Sequence, residues 1–199
     1  TFTERYGYYE DTFIGNPDLQ PESSQGWEIG MDTNWSDGKY QFELVYFDQD
    51  LQDEIDGFVY DPASGLFTAK NKENDSNRKG IEAVFDTRVN QYFSMVASYT
   101  YTDATETDAM GETFPEVRRP EHTAVITANF FFAQNRGNMN LNWNYTGSQL
   151  DVFYDPLTYL TDVVDIDSYT VLDLAGSWKL TRSLELTGRI SNLLDDETI

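Results

Sequence analysis

His122 is the only histidine in the 199-residue chain, and it lies beside Arg118, Arg119 and Glu121. A histidine can act as a general base when a second group orients it and a nucleophile lies within reach. The sequence shows no motif that would supply these partners. It therefore predicts no catalytic residue, and we expect His122 to lie at the start of a strand and to bond to neighbouring loops.

A run of carboxylates between residues 48 and 56 could supply hard oxygen ligands to calcium. The weak calcium candidates are Asp48, Asp50, Asp53 and Asp56. The run lacks the glycine and the terminal glutamate at the spacing of an EF-hand loop, so a solvated acidic strand tip is the plainer interpretation. Calcium in outward loops is the one metal that the sequence suggests, and it indicates no other cofactor.

Aromatic side chains in the long polar segments could stack on a ligand, and neighbouring carboxylates could bind it. The candidates for ligand contact are Tyr60, Phe153, Tyr154, Asp151 and Asp155. Loop aromatics can equally pack on the next loop, so both interpretations stay open. Nucleic acid is not a predicted partner, because 35 acidic against 13 basic side chains give a net charge of -22 and leave no basic face for phosphates.

The elements that must position these side chains are strands with two unlike faces. Between residues 138 and 147, Met, Leu, Trp and Tyr alternate with four Asn and a Thr, which is the period-two pattern of an extended strand. Amides are poor strand formers in open water but suit a wet interior in which they bond to one another. An apolar side over an amide-lined side is typical of a transmembrane barrel strand.

The composition agrees with strands of this kind. Hydrophobic residues make up 39% of the chain and the mean hydropathy is -0.56, yet aromatic residues reach 15%. A barrel explains this combination because only every second residue of its strands faces lipid. No run approaches the roughly 20 apolar residues that a spanning helix needs. The absence of cysteine excludes disulfides and thiolate metal sites.

The same alternation predicts about eight strands, with residues 1–24 as the tail of an earlier strand followed by a loop. Short turns are expected near 37–38, 89–90, 134–137 and 182, and long loops at about 55–77, 103–118 and 150–168. Short turns on one side and long loops on the other are the bacterial outer-membrane arrangement. We therefore predict an all-β, antiparallel transmembrane barrel in contact with outer-membrane lipid and lipopolysaccharide.

Three motifs resemble those of TonB-dependent outer-membrane receptors. The first resembles the family's Asn-Pro-x-Leu-x-Pro-Glu segment and consists of Asn16, Pro17, Leu19, Pro21 and Glu22. The second resembles its Arg-Pro-x-His segment and consists of Arg119, Pro120 and His122. The third resembles its Asn-Leu-Phe-Asp segment and consists of Asn192, Leu193 and Asp195. The motifs follow the family's order across nearly the whole chain.

The resemblance implies that residues 1–199 form a single incomplete domain, the C-terminal portion of a barrel of about 22 strands. It also implies an N-terminal plug, absent from this sequence, through which the TonB complex supplies energy. Such receptors import scarce nutrients, usually ferric siderophores or cobalamin. The expected ligand is therefore a metal chelate or a corrinoid, with the siderophore and cobalamin branch as the most similar part of the family.

Two other functions stay open on the sequence. Eight strands can close a small barrel with a structural or adhesion role. That alternative predicts a complete C-terminus with a terminal aromatic residue, which Ile199 after an acidic pair does not resemble. A barrel enzyme such as a surface protease or phospholipase would need His122 paired with a serine or an aspartate at the rim of a strand. The sequence shows no motif for that pairing.

Overall fold

A computed structural model describes residues 1–108, 110–155 and 161–196, with the backbone alone at residues 154 and 161. The elements in chain order are α1 (Phe2–Tyr6), β1 (Tyr8–Tyr9), β2 (Phe13–Ile14), β3 (Ser23–Trp35), β4 (Tyr40–Gln52), β5 (Ile55–Asp61), β6 (Leu66–Asn71), β7 (Ser76–Asn90), β8 (Phe93–Thr107), β9 (Thr113–Pro115), β10 (His122–Phe132), β11 (Gly137–Thr146), β12 (Gln149–Tyr154), β13 (Thr161–Ile166), β14 (Tyr169–Lys179) and β15 (Glu185–Ile190). Within these ranges no helix is long and apolar enough to cross a membrane.

The main sheet has nine described strands. Eight of them follow the order β15-β14-β11-β10-β8-β7-β4-β3, so each pairs with its neighbour among these eight along the chain, and the short β9 pairs with β8. The strand number and the antiparallel barrel fold predicted from the sequence are confirmed. Within the described residues, β3 and β15 form the two ends of the order and do not pair with each other. Within these residues the eight strands therefore do not close a small barrel by themselves, which does not favour the small-barrel alternative.

The strand register gives the main sheet one apolar face. Leu141 lies opposite Ala128 on one side and Leu174 on the other. Trp143 lies opposite Ile126 and Leu172 in the same way. Since side chains alternate between faces along a strand, these pairs place the apolar side chains of β10, β11 and β14 on one surface, as predicted.

The opposite face of the main sheet is lined by amides and hydroxyls that bond to one another. The Asn140 amide donates to the Asn129 side-chain oxygen at 2.9 Å, and the Thr127 hydroxyl donates to the Asn142 side-chain oxygen at 3.0 Å. These cross-strand bonds confirm the prediction that the amides of β11 are satisfied by neighbouring polar side chains. They also explain why an asparagine file is stable in a strand.

Few apolar side chains are buried among the described residues. In the part of the chain that the structure describes, the buried apolar side chains are limited to small alanines and one cluster at residues 13, 19 and 69. The aromatic and aliphatic side chains of the sheet face stay partly or largely exposed. A soluble sheet of this size would bury such a face against another layer, so the exposure fits a face that meets hydrocarbon.

The connections between strands alternate in length as predicted. The first short turn uses left-handed backbone at Ser36, Asp37 and Gly38, with φ of 56°, 57° and 76°. The Lys39 N–H closes this turn on the Ser36 carbonyl oxygen at 3.3 Å. The long connections differ from the prediction, because they contain paired strands and not open loops: the β5–β6 hairpin, β9 paired with β8, and the β12–β13 hairpin.

The first 24 residues also differ from the predicted strand tail and loop. They form α1, the short pair β1–β2 and the start of β3, and β2 pairs with β6 in parallel through Phe13 and Phe67. The sequence did not show this pairing because the two residues are far apart along the chain. A separate four-stranded sheet results, in the order β1-β2-β6-β5.

The chain divides into two compact units. Unit 1 comprises Thr1–Trp27, Asp48–Arg78 and Ala104–Pro115, and unit 2 comprises Glu28–Phe47, Lys79–Asp103 and Glu116–Ile199. Unit 1 holds the four-stranded sheet, and unit 2 holds β10, β11, β14 and β15 of the main sheet. That residues 1–199 are one incomplete domain stays a prediction.

Candidate functional site

Five aromatic rings follow one another across the four-stranded sheet of unit 1, in the order Tyr9, Phe13, Phe58, Phe67 and Tyr60. We call these residues the aromatic row. Phe58 stacks on Phe67 with centroids 4.1 Å apart, and the Tyr60 ring meets the edge of Phe67 at 5.6 Å. Rings in such offset and edge contacts hold one another in place. The row is therefore an ordered surface and not a set of independent loop side chains.

The aromatic row is anchored at Phe13 and open at three of its other rings. Phe13 is 5% exposed and lies in a cluster with the buried Leu19 and Ala69. In contrast, Tyr9, Phe58 and Tyr60 are more than half exposed. Ordered aromatic side chains that stay open to solvent offer a flat apolar surface to a ligand with rings or extended π systems.

The turn that follows Tyr60 is closed by its own side chains. The Asp61 carboxylate accepts hydrogen bonds from the backbone N–H groups of Ala63 and Ser64, at 3.3 and 3.2 Å. Hydrogen bonding from Ser64, and next from Ala63, holds the pKa of Asp61 below its usual range. The ionised carboxylate thus fixes the β5–β6 hairpin at neutral pH, and with it the position of Tyr60.

The first family motif is bonded to β6, the strand that carries Phe67 of the aromatic row. The Asn16 side chain donates to the Ala69 carbonyl oxygen at 3.0 Å and accepts from the Asp18 N–H at 3.0 Å. The Arg5 guanidinium donates to the carbonyl oxygens of Pro17 and Leu19, at 2.9 and 3.2 Å. The motif is therefore held on β6 by hydrogen bonds as well as by the buried Leu19 side chain.

The motif also reaches β5 and the end of β4. The Asn71 side chain accepts from the Gln20 N–H and donates to the carbonyl oxygens of Gln20 and Asp53. The Glu22 carboxylate accepts from the Ile55 N–H at 2.8 Å. Residues 16–22 thus act as a clamp on the β5–β6 hairpin, which gives the motif a structural role.

An ionic network lies in the same unit. The Glu54 carboxylate accepts a hydrogen bond from the Ser76 hydroxyl and lies 3.4 Å from the Arg78 guanidinium. The Lys72 ammonium lies 2.5 Å from Glu106 and 4.0 Å from Glu54. Each carboxylate of this network has a basic or hydroxyl partner from the chain itself, so the network serves to join the ends of β6, β7 and β8.

The calcium candidates are partly brought together. The Asn77 amide donates to carboxylate oxygens of both Asp48 and Asp50, at 2.9 Å each. The Asp53 carbonyl oxygen accepts from Asn71, and the Asp56 carboxylate accepts from the Phe58 N–H at 3.2 Å. Across residues 1–108, 110–155 and 161–196 there is no group of three or more His, Cys, Asp or Glu side chains placed to hold a metal. Calcium binding stays a prediction.

The second group of ligand candidates lies on the β12–β13 hairpin of unit 2. The Arg118 guanidinium Nε donates to Asp151 at 2.6 Å, and the Arg118 N–H donates to the Leu150 carbonyl oxygen at 2.7 Å. The hydrogen bond from Arg118, and next the one from the Val152 N–H, hold the pKa of Asp151 below its usual range. Asp151 is therefore a structural ion-pair partner, and the sequence showed no reason to pair these two residues.

The other candidates on this hairpin differ in exposure. Phe153 lies on β12 and is 54% exposed, so its ring is open to a ligand. The structure does not describe the side chain of Tyr154. Asp155 directly follows β12, and its side chain already interacts with other residues of the chain. Tyr60 belongs to unit 1 and Phe153 to unit 2, so the two aromatic candidates lie in separate compact units.

His122 starts β10, as predicted, and its side chain contacts both a neighbouring strand and Glu121 of the preceding connection, whose carboxylate lies 4.0 Å from Nε2. The Tyr99 hydroxyl and His122 Nδ1 lie 2.9 Å apart, and the imidazole packs on the rings of Tyr99 and Tyr101, with centroids 6.1 and 5.2 Å away. Tyr101 lies directly opposite His122 in the register. The histidine therefore belongs to a band of aromatic side chains near the end of the strands. Arg119 lies close by and donates to Glu116.

The third family motif closes the end of β14. The Asn192 side chain donates to the Asp196 carbonyl oxygen, and the Leu193 N–H donates to the Leu172 carbonyl oxygen. Asn192 and Asp195 adopt left-handed backbone, with φ of 50° and 53°. An asparagine or aspartate tolerates this conformation better than most residues, which accounts for their use here.

The amide-lined face of unit 2 forms a concavity of about 1090 Å³ at the end that carries the short turns. Amides, hydroxyls and basic side chains supply its lining. Six of the residues that line it are Lys39, Arg88, Asn129, Asn138, Ser177 and Lys179. A surface of this size with many donors and acceptors can hold a polar protein segment or water.

The sequence interpretation missed four members of the aromatic row. Phe58 alternates with Tyr60 along β5, so the period-two pattern within residues 55–61 was the signal that could have found it. Phe67 follows the Gly65 turn at the position that faces Tyr60. No local signal marked Tyr9 and Phe13, because they join the row through the parallel pairing of β2 with β6.

The family model "TonB dependent receptor-like, beta-barrel" matches residues 1–193 of the chain. The vitamin B12 transporter BtuB of Vibrio cholerae is 31% identical to the chain over 197 residues, which cover 96% of the chain and 29% of the transporter. The protein of the same name from Vibrio vulnificus is 27% identical over 185 residues, 92% of the chain and 27% of the relative. The chain thus spans less than a third of these relatives.

Solved structures share the fold. The pyoverdine outer membrane receptor FpvA from Pseudomonas aeruginosa matches with a TM-score of 0.70 and 18% identity, over 94% of the chain and 27% of that receptor. The ferric enterobactin receptor PfeA of the same organism matches with a TM-score of 0.67 and 19% identity, over 92% of the chain and 27% of that receptor. At these identities the likeness concerns the fold alone. The match across residues 1–193 places the chain in the TonB-dependent receptor-like β-barrel family.

Proposed function

We propose that the chain is part of the barrel of an outer-membrane receptor that takes up a scarce nutrient, a ferric siderophore or a cobalamin, with energy delivered through the TonB complex. The observation that carries the proposal is the two-faced main sheet, with Leu141 and Trp143 on an apolar surface and bonded amides on the other. The family supports it, since its characterised relatives are transport receptors and not enzymes.

The open sheet supports a wall that is larger than this chain. Every residue of β3 and every residue of β15 is exposed. Long exposed edge strands invite pairing with further strands, so we propose that both edges pair with strands of the same longer protein. The alternative, a self-contained small barrel with a structural or adhesion role, is not favoured because β3 and β15 do not pair.

We propose that the aromatic row contacts the ligand. Its open rings suit the flat ring systems of a corrinoid or of an aromatic iron chelate. The relatives from the two Vibrio species are vitamin B12 transporters, so a corrinoid is the first ligand to test, and a ferric siderophore is the second. The amide-lined concavity at the short-turn end is then the surface that the plug of the complete receptor would contact.

Energised uptake tests the proposal. Cells that carry the full-length receptor are given labelled cyanocobalamin or a labelled ferric siderophore, with and without a protonophore. We expect uptake of one ligand to collapse when the proton gradient is removed, while binding at the cell surface persists, because binding needs no energy input. Uptake that continues without the gradient would indicate a passive channel and would contradict the proposal.

A further inference from the structure

A trough crosses the apolar face of unit 2 where two glycines face each other. Gly176 of β14 lies directly opposite Gly188 of β15. The same register places Leu174 opposite Ile190 on one side of the pair, and Trp178 opposite Leu186 on the other. Since residues four apart along a strand are separated by roughly 13 Å, the glycine pair leaves a gap between two apolar ridges.

The trough has an apolar end wall and a measurable volume. Met139 of β11 lies opposite Gly176 and closes the trough on the side away from β15. Phe132 packs on Trp178 with centroids 5.6 Å apart and extends the ridge at the short-turn end. The cavity has a volume of about 560 Å³. Its lining combines the apolar Phe132, Met139, Leu174, Trp178, Leu186 and Ile190 with the polar Asn138, Ser177, Thr187 and Arg189. The apolar side chains suit contact with an alkyl chain.

A cation lies next to the Trp178 ridge. The Arg136 guanidinium is 5.7 Å from the centre of the Trp178 ring and donates to the carbonyl oxygens of Lys179 and Leu180. Within the described ranges, its partners are these carbonyl oxygens and the ring, with no carboxylate. Its positive charge is therefore not cancelled by an ion pair, unlike that of Arg118 at the other end of the strands.

We infer that this trough binds an acyl chain of a phospholipid whose phosphate is held by Arg136. The inference rests on the proposed outer-membrane location, which puts this face in hydrocarbon and its short-turn end at the lipid headgroups. Arg182 follows Trp178 in the same turn and adds positive charge, whereas Lys179 and Glu185 lie opposite each other and line the concavity of the amide face. Arg136, in the turn before β11, borders both the Trp178 ring and that concavity. The apolar trough and the adjoining cation match the two parts of one lipid.

Filling the trough tests the inference. Gly188 suits this purpose because a Cβ built there meets nothing within 4 Å. The full-length receptor is reconstituted in vesicles of phosphatidylethanolamine that contain a small fraction with a photoreactive group on one acyl chain. In the wild type we expect labelling of peptides that contain Met139 or Trp178. In Gly188→Leu, the new side chain should keep about two methylene groups of the acyl chain from being buried in the trough. This should reduce the labelling about tenfold.

Ala97→Leu is the matched control for the filled trough. Ala97 lies on the same apolar face, opposite Ile126, but outside the trough, so this variant should be labelled like the wild type.

A second variant tests the headgroup contact: Arg136→Gln should reduce labelling about threefold. Its control is Arg88→Gln, a cation next to another short turn. Heat-modifiable migration on a gel confirms that every variant is a folded barrel.

Equal labelling of Gly188→Leu and the wild type would overturn the inference. So would labelling spread evenly over the apolar face, or labelling of the trough by a photoreactive lipid A in preference to the phospholipid. Nutrient uptake is measured on the same variants and should be unchanged in Gly188→Leu. If the wild type is labelled in the trough but takes up no nutrient, the proposed function fails and the lipid site stands.

Discussion

Ring contacts determine what the aromatic residues of unit 1 can do. Phe58 and Tyr60 are exposed, yet each is held by a contact with Phe67, so a ligand that stacks on them would not have to order them first. Preordered side chains lower the entropic cost of binding. This is the physical reason for placing ligand contact on the aromatic row and not on aromatic residues in general.

Tyr60→Ala should weaken ligand binding by the complete receptor. The loss of one stacking ring costs about 1 kcal/mol, or about fivefold in Kd. Phe114→Ala is the control, because Phe114 is an exposed aromatic residue of unit 1 outside the row. Kd is measured by isothermal titration with whichever ligand is taken up. Equal effects of the two variants would remove the special role of the aromatic row.

The Arg118–Asp151 ion pair gives a pH prediction. The pKa of Asp151 is lowered, so the carboxylate stays ionised through neutral and mildly acidic pH. Its contribution to stability is present above the unfolded-state pKa of about 3.9 and is lost as the pH falls through the lower folded-state value. The pair should therefore hold the β12–β13 hairpin at neutral and mildly acidic pH.

Carboxyl NMR on aspartate-labelled receptor checks this sign. In the wild type the titration midpoint of Asp151 should lie below that of a free aspartate. In Arg118→Gln it should move up toward that value, because the hydrogen bond from the Arg118 guanidinium is lost. Arg119→Gln is the control, because Arg119 pairs with Glu116. A midpoint that does not respond to Arg118→Gln would show that the Val152 N–H alone sets the shift.

At the scale of elements, the clamp formed by residues 16–22 decides where the β5–β6 hairpin lies. It combines one buried side chain, Leu19, with two hydrogen bonds, which the Asn16 amide donates and the Glu22 carboxylate accepts. A short segment without strand pairing of its own needs both kinds of contact, because each fixed residue loses conformational entropy. The family motif is thus explained by structure and does not require contact with the ligand.

Leu19→Ala should loosen the hairpin without unfolding the barrel. Truncation of a fully buried leucine costs about 2–4 kcal/mol, and here the cost falls on a small cluster with Phe13 and Ala69. Hydrogen exchange of the β6 amides should accelerate, while exchange in β10 and β11 stays as in the wild type. Leu180→Ala serves as the control, because that leucine is 43% exposed. Unchanged exchange in β6 would contradict the clamp.

At the scale of the whole molecule, the two faces of the sheet demand opposite side chains. Leu141 faces the apolar side and Asn142 the amide side, although they are adjacent in sequence. A charge on the lipid side of a barrel strand costs about 2–4 kcal/mol near the middle of the bilayer, whereas the hydrated side tolerates it. The free-energy cost of an added charge therefore depends on which face of the sheet its side chain points to, and not on its position in the sequence.

Leu141→Arg should therefore assemble poorly in the outer membrane, and Asn142→Arg should assemble nearly as well as the wild type. The readout is the fraction of the full-length receptor that migrates as a heat-modifiable barrel in isolated membranes. The two variants control for each other, because they add the same side chain to neighbouring positions of β11. The reverse order of assembly would mean that the lipid and lumen faces have been assigned the wrong way round.

The sequence by itself determined the features that depend on neighbours along the chain. The alternation of Leu141 and Trp143 with asparagines predicted the two faces, and Asp37-Gly38 predicted the first turn, because a period of two and a left-handed turn are local properties. The same local patterns in the other segments predicted the eight strands and the alternation of short and long connections.

Only the tertiary structure decided which distant residues meet. Phe13 reaches Phe67 through a parallel pairing, Asn71 joins Gln20 to Asp53, and Arg118 pairs with Asp151. Each of these contacts closes a loop of chain whose path no local preference specifies. The aromatic row includes such a contact, because Phe13 joins it through the pairing of β2 with β6. That is why the alternation of the barrel strands was predictable from the sequence and the full extent of the aromatic row was not.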